Sequence, residues 1–250
     1  MVQGSKENLL LYIRDLDRYA DDGESTGYAQ ASDYPIPEVI QSPFEDWVND
    51  PERKVLCLDI STYYREDAAI PHILLEELRD RKMLPCTWFF GKARYYFGRN
   101  EDHINPKTKF MALLCCMIVQ LANLVPDTYD DATGALTEER FEDLNEMGAN
   151  MGAIPYSLPK LIDIVKALAA IGPQEMFFLF DGCDRLTGGD VELQRQFVDF
   201  LVYLVEGHEA EAQVSDKVWK ILWTDSEILL PIEDMGMDQQ PDDPGPIVVS

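Results

Sequence analysis

Four short apolar runs, each about the length of a β-strand, are separated along the chain by segments with helical periodicity. The runs comprise residues 54–60, 85–90, 176–180 and 218–223. They are apolar almost throughout rather than alternating with polar residues, so both faces of each strand are expected to be buried. Strands of this kind, joined by helices, pack as a parallel sheet with helices on both faces. The pattern therefore predicts an α/β fold.

The segments between these runs carry apolar residues at helical spacing. In residues 69–81, Ile70, Leu74 and Leu78 fall on one helical face, and Pro71 is compatible only with the first turn. Residues 107–125 are apolar nearly all round, which predicts a helix buried on most sides. The other predicted helices are 8–19, 40–48, 158–171 and 190–206.

Three regions follow from this pattern and from local composition. We expect an N-terminal helix with an acidic linker in residues 1–39, one α/β domain in residues 40–232, and an acidic tail rich in proline and glycine in residues 233–250. Residues 127–152 are polar and irregular, with room for one short acidic helix.

The charge balance excludes several classes of partner. The 250 residues include 46 acidic and 21 basic side chains, which leave a formal charge of −25. Such a chain repels phosphate backbones and anionic lipid, so neither nucleic acid nor a membrane surface is an expected partner. The five cysteines lie in apolar runs without a C-x-x-C spacing, and residues 1–7 lack the apolar core of a signal peptide. We therefore expect a reduced, soluble, cytoplasmic protein.

The third apolar run leads into the sequence Asp181-Gly182-Cys183-Asp184. Ligands of parallel α/β sheets bind at the carboxyl ends of the strands. A carboxylate there can hold the shell of a Mg²⁺ ion, and a second one can position water, so Asp181 and Asp184 are the candidate catalytic residues and Asp181 is the candidate metal ligand. The alternative is that these acidic residues only cap the next element.

The order of the segments provides context for this motif. A tryptophan-bearing helix precedes the first strand, an aromatic strand ends in Trp88-Phe89-Phe90, a buried helix ends in Gln120-Leu121, and the third strand leads into the two aspartates. In this order residues 40–232 resemble the NACHT-type NTPase domain of the STAND class, in the fungal version related to the nephrocystin N-terminal NTPase region. The resemblance implies a P-loop NTPase-like parallel sheet with Asp181 and Asp184 as the Walker B motif.

The phosphate-binding loop of that family is missing from the sequence. Its first strand runs into Gly-Lys-Pro-Gly-Ser-Gly-Lys-Ser, whereas residues 61–68 here are Ser-Thr-Tyr-Tyr-Arg-Glu-Asp-Ala. No glycine is present to form a cradle of N–H groups. Asp67 replaces the lysine that pairs the phosphates, Ala68 replaces the hydroxyl that binds Mg²⁺, and Ser61 begins the altered segment. Two like charges ~4 Å apart repel by roughly 4 kcal/mol at an effective dielectric of ~20, which is half of the ~8 kcal/mol of a micromolar complex.

The residues after the last strand also differ from the family's sequence, and they too are acidic where the family has a cation. The family commonly follows it with Thr-Ser-Arg, whose arginine senses the terminal phosphate, but here Thr224 is followed by Asp225, Ser226 and Glu227. Acidic residues thus replace the expected cations at both phosphate-facing elements. The resemblance and these departures together indicate that the scaffold is kept while the triphosphate site is dismantled.

Several residues allow two interpretations. Arg65 either supplies a cation from a rearranged phosphate loop or is a solvated side chain. Residues 91–94, with Arg99 nearby, either bind an anion or balance the charge of neighbouring acidic residues. The aromatic residues of segments 88–90 and 95–97 either stack on a nucleotide base or belong to the core and to the edge of a loop. Asp59 is either a buried carboxylate or a strand-end residue.

Three functions remain open at this stage. The first is a non-catalytic, NACHT-like pseudo-NTPase that acts as an interaction or regulatory module, with protein partners and no cofactor. The second is an ATP or GTP hydrolase that uses Mg²⁺-nucleotide, Asp181 and Asp184 with an unconventional phosphate loop. The third is an inhibitory partner that pairs with intact NACHT relatives and prevents their oligomerisation.

Overall fold

The structure, a computed structural model, describes residues 2–14, 16, 35–59, 70–90, 106–142, 158–183, 186, 190–207, 217–225 and 247–249. The chain forms two compact units. The first consists of Met1–Asp21 and Thr108–Pro173, and the second of Asp22–Lys107 and Gln174–Ser250.

The first unit contains a two-stranded antiparallel ladder and mainly helices. Strand β1 (Val2–Ser5) pairs with β4 (Thr128–Asp131). The helices are α1 (Lys6–Tyr12), α4 (Pro106–Leu124), which begins at the boundary of the unit, α5 (Leu158–Ile171) and the helical residues 138–142. Helix α5 matches its prediction, and α4 is buried nearly all round, as predicted.

The first helix begins two residues earlier than predicted, and residues 15 and 17–19 of the predicted range lie outside the described part of the chain. The sequence analysis predicted residues 8–19, but α1 spans Lys6–Tyr12 and follows strand β1, which was not predicted. Ser5 accounts for the early start, because its side chain accepts a hydrogen bond from the backbone N–H of Asn8 and so caps the helix. Strand β4 was also missed within the segment interpreted as irregular. Both strands are short and lack an apolar alternation of useful length, so they form only because they pair with each other.

The second unit is built on a five-stranded sheet in the order β3-β5-β6-β2-β7, in which every neighbouring pair is parallel. The strands are β2 (Val55–Asp59), β3 (Cys86–Phe90), β5 (Glu175–Asp181), β6 (Val218–Asp225) and β7 (Ile247–Val249). The predicted α/β class with a parallel sheet is therefore confirmed. The sequence analysis assigned no strand to residues 247–249.

Helices cover both faces of this sheet. Helix α2 (Glu38–Asn49) and helix α3 (Ile70–Glu76), which continues as a π-helical turn over Glu77–Arg81, pack on the face that carries Leu56, Phe177 and Leu222. Helix α6 (Val191–Val202) continues as a π-helical turn over Tyr203–Gly207.

Two aromatic side chains of β6, Trp219 and Trp223, lie on the opposite face of the sheet. Phe197 of α6 lies 5.9 Å from the ring of Trp223, and Tyr203 lies 6.2 Å from Trp219. These contacts place α6 on the side of the sheet opposite to α2 and α3, because successive residues of a strand point to opposite faces.

All five cysteines have free thiols and are buried, in agreement with their placement in apolar runs. Burial raises the pKa of Cys57 to about 12 and that of Cys86 to about 12. Both thiols therefore remain protonated at neutral pH and behave as small apolar side chains. In the part of the chain that the structure describes, no helix is long and apolar enough to span a membrane.

Candidate functional site

Strand β5 delivers Asp181 to the carboxyl edge of the sheet. Residues 176–180 are all buried and apolar, and the strand lies in the interior of the sheet between β3 and β6. Asp181 is the last residue of the strand and is only 7% exposed. A nearly buried carboxylate requires polar neighbours, because burial without hydrogen bonds disfavours its charged form.

Thr224 supplies one of these neighbours. The two residues are register partners on adjacent strands, and the Thr224 hydroxyl donates a 2.8 Å hydrogen bond to Oδ1 of Asp181. The backbone N–H of Gly182 also donates to the carbonyl oxygen of Thr224 at 3.1 Å. Gly182 has a φ of 63°, a left-handed conformation that glycine adopts without strain and that turns the chain away from the strand. The carboxylate is thus anchored from the β6 side.

An aromatic pair lies on the other side of Asp181. Phe90, the last residue of β3, is the register partner of Asp181 on that side. The imidazole of His72, from α3, stacks on the Phe90 ring with centroids 4.2 Å apart, and His72 is 7% exposed. Phe89 is also buried, and Trp88 is packed against the core, so residues 88–90 belong to the core rather than to an exposed stacking surface.

Three neighbouring strands end in an aspartate at this edge. Asp59 is the last residue of β2, Asp181 of β5 and Asp225 of β6. The strands are parallel, so their carboxyl ends share one edge, and Asp59 and Asp225 are direct register partners. Asp59 is thus a strand-end residue, and the burial of its carboxylate lies outside what the structure describes. Asp181 shares a face of the sheet with its register partner Thr224, and the three aspartates share the edge by backbone position.

The remaining predicted site residues lie outside the described part of the chain. These are Ser61, Asp67 and Ala68 of the altered phosphate segment, Asp184 of the motif after β5, and the cations Arg65, 91–94 and Arg99. The structure therefore brings Asp181 together with Thr224. The predicted partnership of Asp181 with Asp184, and the shape of the phosphate segment, stay predictions.

The described residues do not by themselves form a magnesium site. Asp181 contributes one carboxylate, and one of its oxygens accepts the Thr224 hydroxyl. Mg²⁺ demands six oxygen ligands in near-octahedral geometry. Within the described ranges, no group of three or more His, Cys, Asp or Glu side chains is placed to hold a metal ion.

A buried lysine that the sequence analysis did not single out lies on the same face of the sheet as α2. Lys220 is 1% exposed, and its Nζ donates hydrogen bonds to the carbonyl oxygens of Trp47, Val48 and Asp50 at 2.6, 2.8 and 2.9 Å. An ammonium group has three N–H donors, so all three are used. The only signal in the sequence is a charged residue in the middle of the apolar run 218–223.

This lysine ties α2 to the sheet. The three carbonyls belong to the last turn and the C-cap of α2, where the helix dipole favours a positive charge. The rings of Trp47 and Phe177 lie 5.9 and 5.8 Å from Nζ. Burial lowers the pKa of Lys220, and the charges of Glu175 and Asp50 act in the opposite direction. The tryptophan-bearing helix that precedes β2 is thus held in place by a cation on β6.

The first unit contains a comparable carboxylate. Oδ1 of Asp131 accepts hydrogen bonds from the backbone N–H groups of Thr133 and Gly134 and from the Thr133 hydroxyl, and Oδ2 accepts from the N–H of Leu136. Asp131 is 3% exposed, and all of these donors lie within five residues of it in the sequence. Asp131 therefore organises a turn, and its role is structural.

Comparison with protein-family models, with curated proteins and with solved structures finds no match to this chain. The class established by the structure is a mixed α/β protein whose second unit contains a parallel sheet flanked by helices.

Proposed function

We propose that the second unit is a NACHT-like P-loop NTPase scaffold that has lost nucleotide hydrolysis and serves as an interaction or regulatory module. The observation that carries this proposal is the shared carboxyl edge of β2, β5 and β6, where each strand ends in an aspartate. In a working NTPase this edge receives a triphosphate, and an excess of carboxylates opposes its binding.

The strand order supports the scaffold part of the proposal. The resemblance equates β2 with the P-loop strand, β5 with the Walker B strand and β6 with the last strand. In the sheet, β6 lies between β2 and β5. Because the three strands are parallel neighbours, the residues that follow them meet at one edge of the sheet, which is where ligands of α/β sheets bind.

The sequence after β2 supports the loss of nucleotide binding. Residues 61–68 contain no glycine, and Asp67 and Ala68 replace the lysine and the hydroxyl residue of the family. Backbone N–H groups converge on a phosphate only where glycines permit the required turns. Retention of Asp181 has a structural reason on this proposal, because its carboxylate accepts the Thr224 hydroxyl within the second unit.

The second candidate function is an ATP or GTP hydrolase with an unconventional phosphate loop. The position of Asp181 favours it, since a carboxylate at the end of a central parallel strand is where magnesium–nucleotide sites place one. In this alternative Asp184 positions the attacking water, and the aspartates of the edge hold Mg²⁺ rather than repel the nucleotide.

Calorimetric titration of the full chain with ATP and ADP, with and without Mg²⁺, distinguishes the two. The proposal expects no saturable heat at millimolar nucleotide. A dissociation constant below about 10 μM, which corresponds to roughly 7 kcal/mol of binding free energy, contradicts it. Asp181→Asn is the informative variant, and Asp130→Asn, on an exposed position of β4, is its matched control. Turnover that Asp181→Asn abolishes and Asp130→Asn preserves establishes the hydrolase.

The partners we propose are proteins, and intact NACHT relatives are the first to test. A unit with the same scaffold and no nucleotide dependence could pair with such a relative and block its oligomerisation, with the charge of −25 giving long-range selectivity. Co-purification with an intact relative that weakens as salt is raised supports this pairing. Absence of association at every salt concentration removes it.

A further inference from the structure

The ammonium group of Lys220 lies in an enclosure formed by the end of α2 and one ring of β5. Its Nζ donates to the backbone carbonyl oxygens of Trp47, Val48 and Asp50 at 2.6, 2.8 and 2.9 Å. The centroids of the Trp47 and Phe177 rings lie 5.9 and 5.8 Å from the same atom. We call these three carbonyl oxygens and two rings the ammonium cage.

The groups of the ammonium cage match the chemistry of a primary ammonium ion. Such an ion has three N–H donors and no acceptor, and the cage presents three acceptors. Carbonyl groups at the C-terminal end of a helix carry partial negative charge, and aromatic faces attract a cation within about 6 Å. The charges of Glu175 and Asp50 also favour the protonated form of Lys220. Each of these features recognises the ammonium group and not the chain that carries it.

Contacts that do not involve Lys220 hold the ammonium cage in shape. Phe44, Trp47 and Val48 are buried in the same core cluster as Phe177. The rings of Trp47 and Phe177 meet edge to face with centroids 5.4 Å apart, and the backbone N–H of Asp50 donates to the carbonyl of Asp46 at 3.0 Å. A packed core relaxes only partially when a buried side chain is shortened. The cage is therefore expected to persist as a cavity in a chain that lacks the Lys220 side chain.

We propose that the end of α2 is a binding site for primary alkylammonium ions, whose resident ligand in the unmodified chain is the side chain of Lys220. In Lys220→Ala, which keeps Cβ and removes three carbons and the amine, n-propylammonium supplies the missing atoms. The unmodified chain takes up no free amine at this site, because its own tethered ammonium fills the cage. The site involves neither Asp181 nor residues 61–68, so it does not depend on the proposed loss of nucleotide binding.

Urea unfolding of Lys220→Ala at neutral pH tests this site in n-propylammonium chloride, with sodium chloride of equal ionic strength as the reference. The unfolding midpoint is expected to rise with amine concentration and to saturate, because a ligand that binds only the folded chain stabilises it. A ligand of so few atoms corresponds to a dissociation constant of about 1 mM or weaker. n-Propanol, which has one uncharged donor, should bind at least about tenfold more weakly, since hydrogen bonds from a charged donor are stronger.

Two variants separate binding in the cage from a general effect of the amine on the solvent. Lys54→Ala shortens a lysine whose Nζ makes a longer hydrogen bond, 3.3 Å, to the carbonyl of Val205. Lys220→Met fills most of the space and provides no N–H donor. Neither variant should gain stability from n-propylammonium. A midpoint of Lys220→Ala that rises no more than that of Lys54→Ala, or an equal rise in n-propanol, overturns the proposal.

The test also covers a Lys220→Ala chain that does not fold in buffer. Refolding by dilution from urea is then compared in n-propylammonium chloride and in sodium chloride, with far-ultraviolet circular dichroism and tryptophan fluorescence as readouts. Recovery of the folded signals in the amine alone supports the site. A chain that stays unfolded in both salts overturns it.

Discussion

The hydroxyl of Thr224 lies 2.8 Å from Oδ1 of Asp181, and the two residues are 43 positions apart in the sequence. They meet because β6 and β5 are neighbours with Asp181 and Thr224 in register. The hydrogen bond connects the residue that the motif singled out to one that the motif does not include. It gives Asp181 a structural role in the second unit, whichever ligand the carboxyl edge accepts.

Replacement of Thr224 by valine is expected to destabilise the second unit. Valine is close to threonine in shape but donates no hydrogen bond to the buried carboxylate, and a hydrogen bond to a charged group contributes about 1.5–3 kcal/mol. Urea unfolding followed by tryptophan fluorescence measures the loss, because residues 47, 88, 219 and 223 are the four tryptophans and all lie in this unit. Thr224→Ser keeps the hydroxyl and should retain most of the stability. A Thr224→Val chain as stable as the unmodified one, or a larger loss in Thr224→Ser than in Thr224→Val, would contradict the importance of the hydrogen bond.

Replacement of Lys220 by methionine should lower the free energy of unfolding by more than the Thr224→Val change does. Methionine fills a similar volume but leaves the carbonyl oxygens of Trp47, Val48 and Asp50 without this donor. Leaving a single buried polar group without its hydrogen-bond partner costs about 1–3 kcal/mol. Because three carbonyl groups lose this donor, we expect the free energy of unfolding to fall by about 3 kcal/mol or more. The midpoint of urea unfolding, measured by tryptophan fluorescence, reports it.

Lys54→Met is the matched control for this experiment. Lys54 also donates to a carbonyl near a helix end, that of Val205, but the bond is longer, at 3.3 Å, and is only partly buried. A loss of about 0.5–1.5 kcal/mol is expected. A Lys220→Met chain no less stable than Lys54→Met would contradict the importance of the hydrogen bonds from Lys220 to the end of α2.

Gly4 in β1 cannot be replaced without moving a neighbour. A Cβ at this position would overlap the ring of Tyr129, which is 8% exposed on the partner strand β4. Gly4→Ala is therefore expected to destabilise the first unit by about 1–3 kcal/mol, as overpacking does. Hydrogen exchange of the amides in α4 and α5 measures this unit, which contains no tryptophan.

A double-mutant cycle separates this clash from backbone strain. Gly134→Ala is the comparison, because Gly134 has a φ of 66° and a Cβ added there would meet no atom within 4 Å. In a chain that also carries Tyr129→Val, Gly4→Ala should destabilise the first unit less, because the ring it would overlap is absent. The destabilisation caused by Gly134→Ala should stay the same. Additive costs at both glycines would argue against the ring as the cause.

Lys217 should make the stability of the second unit depend on pH. Its side chain lies over the ring of Trp219 at 5.9 Å, and burial lowers its pKa from 10.5 to about 8. Between these two values the unfolded chain binds more protons than the folded one, so this group makes stability rise as pH increases from about 8 towards 10.5. Lys217→Gln removes the charge and is expected to be more stable than the unmodified chain at pH 7, with the difference shrinking above pH 8. Urea unfolding across this pH range measures it.

Lys217→Arg should show the same slope relative to the unmodified chain as Lys217→Gln, with a lower stability at every pH. Arginine stays charged throughout the range, so its stability relative to the unmodified chain should fall as pH rises. The thiols of Cys57 and Cys86, whose pKa values burial raises, also affect stability at high pH. Their effect is common to all three chains and cancels in the differences. Parallel pH profiles for the three chains would exclude Lys217 as the titrating group.

Much of the second unit could be predicted from the sequence because its elements carry strong local signals. The run 176–180 is wholly apolar and forms most of the interior strand β5, and the helical face of residues 69–81 corresponds to α3 and its π-helical turn. By contrast β1, β4 and β7 are three or four residues long and depend on a partner strand. No local pattern could identify them, since their backbone hydrogen bonds are made with segments distant in the chain.

The same distinction applies to the candidate site. Asp181 could be identified from the sequence, because a carboxylate directly after an apolar run stands at a strand end whatever the rest of the fold. Its bond to Thr224 and the contact of Lys220 with α2 depend on which strands are neighbours and in which register.

The α/β class, the buried strands and the acidic character of the segment after β2 follow from the amino-acid sequence alone, because they depend on composition and periodicity within short windows. The folded chain was needed to show that β6 lies between β2 and β5, that three strands share an edge ending in aspartates, and that residues 247–249 complete the sheet. Strand order and register are fixed by contacts between distant segments, and those contacts have no counterpart in local sequence.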